Sequence, residues 1–213
     1  MVVSLAELPF APTRPTTTQI TADWITITWK HGGGPQVDSY TLYYRAKSSS
    51  QWIVIKDIRG RTSMSLKELQ PYTTYQFRLF ALNDLGTSKP SPLAEFKTSP
   101  KAPGTPPGNI QAKGLSDTSF EATWLPPSQP NGEILGYRLY YVTDPKLKID
   151  QWLYRASADN QTQITGLLKM TTYYFKLIAY NSAGEGPLSD LFAVMTAQGG
   201  EWSLTRRRGT PPL

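Results

Sequence analysis

The chain has 213 residues, a formal net charge of +6, a single histidine and no cysteine. Without cysteine it has neither disulfide bonds nor thiolate metal ligands, and one histidine is too few for the usual zinc sites. The length allows one or two domains, and a 12% aromatic content with 18 prolines and 16 glycines favours short strands joined by turns.

The positive charge is unevenly distributed along the chain. Residues 1–99 hold 11 Lys/Arg and 7 Asp/Glu, residues 100–199 hold 8 of each, and residues 200–213 hold 3 Arg and 1 Glu. This pattern argues against general nucleic-acid binding and allows a local acidic partner. Residues 1–10 do not resemble a signal peptide, and no stretch reaches the roughly 20 apolar residues that span a bilayer. If the parent is membrane-anchored, we expect this chain to be a soluble piece of it.

Alternation of apolar and polar residues predicts strands along both halves of the chain. In the first half they lie near residues 16–20, 24–30, 37–45, 52–56, 62–66, 74–83 and 93–98. Proline then recurs from residue 99 to residue 107, which excludes a central strand and predicts a semi-rigid spacer. In the second half strands are predicted near residues 109–113, 119–124, 134–142, 151–156, 161–165, 172–181 and 190–196.

The two halves repeat each other nearly end to end, which reveals the architecture before any single residue does. The matching pairs of segments are 25–29 with 120–124, 40–44 with 137–141, 51–52 with 151–152, 73–77 with 171–175, and 83–86 with 181–184. Their spacing drifts from 95 to 100 residues, as small loop insertions would produce. Each half therefore carries a complete and similar set of strands.

This ordered set resembles the fibronectin type III family over about residues 10–198. The motifs that carry the resemblance are Trp29 and Trp124 at the end of the second strand, Tyr-x-Leu-x-Tyr in the third, Leu69-x-Pro71-x-Thr73-x-Tyr75 before the sixth, and Asn-x-x-Gly after it. The second half departs from the motif with Lys169 in place of Pro71. Tyr75 and Tyr173 occupy the tyrosine-corner position, where the hydroxyl bonds to upstream backbone.

The resemblance implies an all-β chain of two immunoglobulin-like, seven-stranded β-sandwiches in tandem. We expect the first domain at residues 8–99, the second at 106–198, and a flexible basic tail at 199–213. The run Arg206–Arg208 in that tail is expected to be solvated, with a protease site or an anion contact as alternatives.

No constellation of residues predicts catalysis, a metal or a cofactor. His31 precedes Gly32, Gly33 and Gly34 in a predicted loop, and no helix follows that could face a phosphate. A surface loop explains these residues, and the carboxylates are scattered over turns rather than paired. We therefore expect a chain that is not an enzyme and has no cofactor.

What the family resemblance implies for function is a non-catalytic protein-binding and spacer segment in the extracellular part of a cell-surface receptor or adhesion protein. The second half is also similar to the membrane-proximal repeats of netrin-receptor and neogenin-type proteins. Two alternatives remain open: an intracellular structural array, as in muscle filaments, and a non-catalytic appendage of a larger enzyme such as a receptor phosphatase. The expected partners are a protein ligand or neighbouring receptor domains.

Period-two counting places one set of large residues on the outer surface of the sheet that contains the third and sixth strands. This predicted protein-binding set is Tyr43, Phe80, Leu82, Tyr140, Tyr174, Ile178 and Tyr180. Arg78, Arg138 and Lys176 lie beside it. The alternative is ordinary packing, in which Arg and Lys stems, or Trp52 and Trp152, cover these side chains.

Two further sites are predicted. The cations near the third and fourth strands form a candidate anion-binding site for a glycosaminoglycan or an acidic protein surface: Arg45, Lys47, Lys56, Arg59 and Arg61. Asn160, in the sequon Asn160-Gln161-Thr162, is a candidate N-glycosylation site in an exposed turn.

Overall fold

The computed structural model describes residues 7–196, and the chain divides into two compact units. Unit 1 comprises residues 1–99 and unit 2 residues 100–213. The predicted tail at 199–213, with Arg206–Arg208, lies outside the described residues. Within the described range, no helix is long and apolar enough to cross a membrane.

Unit 1 is a sandwich of two antiparallel sheets. Its strands are β1 (Thr16–Ile20), β2 (Ile25–Thr28), β3 (Ser39–Ala46), β4 (Ile53–Ile58), β5 (Ser63–Leu66), β6 (Thr74–Asn83), β7 (Gly86–Thr87) and β8 (Ala94–Lys97). The smaller sheet has the order β1-β2-β5. The larger has the order β4-β3-β6-β7, with β8 also paired to β6.

Unit 2 repeats this arrangement. Its strands are β9 (Gly108–Ser116), β10 (Ser119–Leu125), β11 (Ile134–Val142), β12 (Leu153–Ser157), β13 (Gln161–Ile164), β14 (Thr172–Asn181), β15 (Gly184–Glu185) and β16 (Phe192–Met195). The sheets are β13-β10-β9 and β12-β11-β14-β15, with β16 paired to β14. A short 3-10 helix at Ile149–Gln151 stands where the sequence predicted the beginning of a strand, and β12 begins only at Leu153.

Each unit has one short strand more than the seven predicted, and the Asn-x-x-Gly motif explains it. The Asn83 side chain accepts a hydrogen bond from the Leu85 N–H at 3.0 Å, and Asn181 does the same for Ala183 at 2.9 Å. Gly86 has a φ of 141°, a conformation that L side chains rarely adopt, and Gly184 has a φ of 139°. The motif therefore closes a tight turn that pairs two residues back onto β6 or β14.

The core of each unit lies between its two sheets, as the alternation predicted. Leu42, Phe77 and Leu79 are fully enclosed in unit 1, and Leu139, Phe175 and Leu177 hold the matching positions in unit 2. Trp29 packs edge-on against Tyr40 with the ring centroids 5.5 Å apart, and Trp124 packs against Tyr137 at 5.3 Å. Both indole N–H groups are buried without a hydrogen-bond partner among the described residues.

Both tyrosine corners have the predicted geometry. The Tyr75 hydroxyl accepts a hydrogen bond from the Gln70 N–H at 2.9 Å, and the Tyr173 hydroxyl accepts one from the Leu168 N–H at 3.0 Å. The replacement of proline by Lys169 leaves this corner intact, and the Lys169 ammonium pairs with Asp117 at 2.8 Å instead.

A buried threonine ties the last strand of each unit to the same corner. The Thr98 hydroxyl donates to the Gln70 carbonyl at 2.7 Å and accepts from the Thr73 N–H at 2.9 Å. Thr196 makes the equivalent bonds to the Leu168 carbonyl and the Thr171 N–H, at 2.8 and 3.0 Å. We call Thr98 and Thr196, with these hydrogen bonds, the threonine lock. It was not predicted from the sequence, although the 98-residue spacing between the two threonines matches the repeat.

Candidate functional site

The register of the central strands settles which side chains lie on the outer face of unit 1, the surface of its larger sheet that points away from the core. Tyr43 lies opposite Arg78, and Thr41 lies opposite Phe80. The intervening pair, Leu42 and Leu79, belongs to the core. Tyr43 and Phe80 are half-buried rather than fully exposed, and their rings meet edge-on at 5.1 Å.

Trp52, immediately before β4, is the platform of this face. The guanidinium carbons of Arg45 and Arg78 each lie 4.5 Å from the centroid of its ring. Tyr43 meets the same ring edge-on at 6.4 Å, and Arg78 also lies 5.8 Å from the Phe80 ring. We call Trp52, Arg45, Arg78, Tyr43 and Phe80 the Trp52 stack. Such cation–π contacts hold two arginines in a fixed orientation on an aromatic surface.

The two arginines of the Trp52 stack differ in their polar contacts. Arg45 Nε donates to the Gln76 side chain at 2.9 Å, and Gln76 donates in turn to Glu95 at 2.7 Å. Lys47 completes the row with an ion pair to Glu95 at 2.9 Å. Hydrogen bonds from Gln76 and Lys47 lower the pKa of Glu95 below its ordinary value. Arg78 belongs to none of the ion pairs among the described residues of unit 1, and its Nε is enclosed without a hydrogen-bond partner.

The predicted anion-binding set does not form a single site. Tyr40 pairs with Ile58 and Tyr44 with Ile53, so β3 and β4 run in opposite directions. Arg59 and Arg61, which follow β4, therefore lie near the beginning of β3, together with Lys56. Arg45 and Lys47 lie at its other end, about 17 Å away at some 3.3 Å per residue. Arg59 is also already paired with Asp57 at 2.6 Å. The antiparallel register therefore divides these five cations between the two ends of the strand pair, and anion binding by them stays a prediction.

The outer face of unit 2 is built around Arg138. Its guanidinium carbon lies 5.2 Å from the Tyr180 ring centroid and 5.8 Å from that of Tyr154, and it forms an ion pair with Glu185. Tyr140 lies opposite Tyr154 on β12, with the ring centroids 5.8 Å apart. Tyr140 and Tyr180 are half-buried, whereas Tyr154 is 60% exposed.

Two members of the predicted protein-binding set need separate comment. Ile178 lies on the outer face, opposite Arg138, but only 3% of it is exposed, so it is not available to a partner. It does not belong to the core cluster, and neither does the buried Trp152. Burial on this face agrees with the packing alternative that the sequence left open, in which Arg and Lys stems or Trp152 cover such side chains. Tyr174, half-buried, lies further along the strand, opposite Val142.

The remaining sequence candidates lie in loops. Asn160 is exposed in the turn between β12 and β13, and only its backbone carbonyl has a structural partner, the Trp124 N–H at 3.0 Å. His31 is exposed in the loop after β2. No group of three or more His, Cys, Asp or Glu side chains within residues 7–196 is placed to hold a metal ion.

Comparison with known protein families identifies the type of domain to which units 1 and 2 belong. Residues 10–97 and 105–194 each match the family model of the Fibronectin type III domain. The chain belongs to the fibronectin type III domain family. The predicted tandem all-β fold is thereby confirmed, and the chain is a pair of non-catalytic fibronectin type III modules.

Relatives match both modules together. Receptor-type tyrosine-protein phosphatase F of Danio rerio is 38% identical over 92% of this chain and 10% of the relative. Receptor-type tyrosine-protein phosphatase S of Gallus gallus is 36% identical over 92% of this chain and 13% of the relative. Tyrosine-protein phosphatase Lar of Drosophila melanogaster is 31% identical over 93% of this chain and 10% of the relative. The chain spans about a tenth of the length of these curated relatives.

A solved structure shares the fold. The crystal structure of the FN1–FN3 domains of chicken CNTN1 covers 90% of this chain, and this chain covers 68% of it, with a TM-score of 0.68 and 23% identity. Two of the relatives are named receptor-type phosphatases, which agrees with the predicted receptor segment and with the receptor phosphatase that the sequence kept as an alternative parent. The narrower resemblance of the second module to netrin-receptor and neogenin-type repeats stays a prediction.

Two features of unit 1 were not predicted from the sequence: the Trp52 ring as the surface on which the arginines stack, and Arg78 as a stacked cation outside the described ion pairs. The alternation of residues predicted that Arg78 lies on the outer face, but Arg78 was assigned to neither predicted site. Comparison with the second half of the chain could have singled it out. Trp152 answers Trp52 in the repeat, whereas Lys176 answers Arg78 and Val142 answers Arg45, so the stack is specific to the first module.

Proposed function

We propose that the chain is a protein-binding and spacer segment in the extracellular part of a receptor-type tyrosine phosphatase or a related cell-surface receptor. The observation that carries this proposal is that both modules present an aromatic and arginine surface on the outer face of the larger sheet. Relatives named as receptor-type phosphatases match the two modules as a pair, which supports the choice of parent.

The outer face of unit 2 is the stronger candidate for a protein contact. Tyr140, Tyr154 and Tyr180 flank Arg138, and Tyr154 is 60% exposed. Tyrosine and arginine are the residues most enriched among interface hot spots, because each combines a large apolar contact area with a polar group. Glu185 pairs with Arg138 and so reduces the positive charge of this face, which favours a protein partner over a polyanion.

The test is a double substitution of Tyr140→Ala with Tyr180→Ala in the full chain. We expect the melting temperature to change little and binding to be lost, measured as self-association in ultracentrifugation and as staining of adherent cells by the clustered chain. Tyr72→Ala provides the matched control, because Tyr72 is an exposed tyrosine outside the strands of both outer faces. Full binding by the double variant would contradict the proposed contact surface.

An extracellular location predicts that Asn160 carries a glycan. The exposed asparagine lies in a turn, where an enzyme can reach it without unfolding a strand. Secretion of the chain from eukaryotic cells, followed by mass spectrometry, measures the occupancy, and Asn160→Gln sets the baseline. An unmodified Asn160 in the secreted chain would count against the extracellular proposal.

A further inference from the structure

Arg78 is a half-buried charge that its own module leaves without a counter-ion. It lies on β6 in the middle of the larger sheet, between Tyr43 on β3 and the Trp52 ring. Its Nε is enclosed and has no hydrogen-bond partner within the described part of the chain. A buried polar group without a hydrogen-bond partner is costly, and a charged one more so, which makes a counter-ion at the exposed part of Arg78 favourable.

The other arginines with defined contacts on these sheets are each satisfied within their own module. Arg59 pairs with Asp57, Arg138 pairs with Glu185, and Arg45 donates to Gln76. Glu95 is the acid of the unit 1 outer face, and Lys47 and Gln76 occupy its two oxygens. No described residue of unit 1 therefore forms an ion pair with Arg78.

We propose that Arg78 binds a carboxylate of a partner protein, at a position where apolar side chains flank that carboxylate. Stacking uses the flat face of the guanidinium and Nε is enclosed, so a carboxylate would reach the partly exposed Arg78 through its two terminal NH2 groups, which can also bind a carboxylate in a bidentate way. The immediate neighbours are the rings of Tyr43 and Phe80, with the exposed Val54 opposite Tyr43 on β4. This inference rests on the proposed function, in which the outer faces contact proteins.

A sulfated polysaccharide fits this surface less well. A linear polyanion binds a row of free cations, but the five cations of the predicted anion-binding set are divided between the two ends of β3 and β4. Lys47 and Arg59 are also already in ion pairs. What remains at Arg78 is one oriented guanidinium within an aromatic surface, which suits a single carboxylate in an apolar setting.

The experiment titrates the isotope-labelled full chain with two capped peptides, acetyl-Ile-Glu-Ile-amide and acetyl-Ile-Gln-Ile-amide, and follows the Trp52 indole N–H and the Arg78 Nε–H by NMR. The variants are Arg78→Gln, Arg78→Lys and Arg59→Gln. Arg59→Gln is the control for Arg78→Gln, because it also removes one arginine charge from unit 1, but at an exposed position. A dispersed amide spectrum verifies that each variant is folded.

We expect the glutamate peptide to shift the Trp52 signal saturably in the parent chain and in Arg59→Gln. Its affinity should fall at least five-fold in Arg78→Gln, and the glutamine peptide should bind at least five-fold more weakly to the parent chain. Arg78→Lys, which keeps the charge but loses the planar fork, should lie between these limits.

Three results would overturn the inference: no binding to the parent chain, equal binding of the two peptides, or binding that Arg78→Gln leaves unchanged. A heparin oligosaccharide that shifts Trp52 in an Arg59-dependent manner would instead identify a polyanion site. If the peptides fail while the Tyr140 and Tyr180 double variant still abolishes cell staining, the proposed function stands and only the assignment of the partner chemistry falls.

Discussion

The two modules bury equivalent cores and present different outer faces. In unit 1 one row across the larger sheet is Arg45, Gln76 and Glu95, joined by hydrogen bonds. In unit 2 the same row is Val142, Tyr174 and Ala193. A sandwich core constrains only the inward residue of each strand pair, so the outward residues can diverge without a change of fold. Partner specificity in a tandem of similar modules is therefore expected to lie in these outward rows.

The charge of the two faces diverges in the same way. Unit 2 neutralises Arg138 with its own Glu185, which lies on the two-residue strand β15. Thr87 holds the corresponding place on β7 of unit 1 and carries no charge. The arginine of one face is therefore paired within its module and Arg78 of the other is in no ion pair among the described residues, which predicts different partners for the two modules.

The equivalence of the cores is tested most strongly by their tryptophans. Trp29→Ala and Trp124→Ala should each destabilise the module that contains the substitution by about 3–5 kcal/mol and leave the other nearly unchanged. Calorimetry of the full chain measures this as a downward shift of one of two transitions. Trp52→Ala is the matched control on the outer face, where Trp52 is only half-buried, and it should cost less. A loss shared by both transitions would show that the modules do not unfold independently.

The sequence predicted the core well because the core depends on local alternation. The inward set expected from period-two counting was Tyr40, Leu42, Tyr44, Phe77, Leu79 and Ala81. Tyr44 is partly buried and packs against the core, and the other five are buried. Strand ends were less predictable, since the 3-10 helix before Trp152 depends on the hydrogen bond from the indole N–H to the Leu147 carbonyl at 3.0 Å. A contact five residues apart in a loop leaves no periodic signal.

The candidate sites were harder to predict because they depend on pairing between strands. Ile178 lies opposite Arg138 on the adjacent strand and is buried, and Arg45 is separated from Arg59 by the direction of β4. Both facts depend on how the strands pair within the sheet. An internal repeat shows which residues of the two halves correspond, but it does not show which residue of β3 lies opposite which residue of β4.

The threonine lock provides a smaller test of equivalence. Thr98→Val and Thr196→Val keep the shape of the side chain and remove the hydroxyl, which leaves a buried N–H and a buried carbonyl without their partner. Each substitution should cost about 1–3 kcal/mol, and the two values should agree because the bond lengths are nearly the same. Chemical denaturation of each variant measures the cost. A large difference between the two would show that the last strands of the modules are held differently.

The smallest expected effect concerns the polar row that only unit 1 possesses. Hydrogen bonds from Gln76 and Lys47 lower the pKa of Glu95 in the folded chain. A carboxyl with a lowered folded pKa stabilises the fold above its unfolded pKa, and this contribution is lost as the pH falls through the folded pKa. As the pH falls below the ordinary pKa of a glutamate and then through the lower folded pKa of Glu95, the unit 1 transition should therefore lose some stability that Glu95→Gln does not lose. Glu95 is near the surface, so the effect should be small and should weaken in salt.

Glu133→Gln, at an exposed position in unit 2, removes the same charge and should leave the acid response of the unit 1 transition unchanged. Identical acid responses for the parent chain and Glu95→Gln would mean that the row contributes no stability and serves only to orient Arg45 on Trp52.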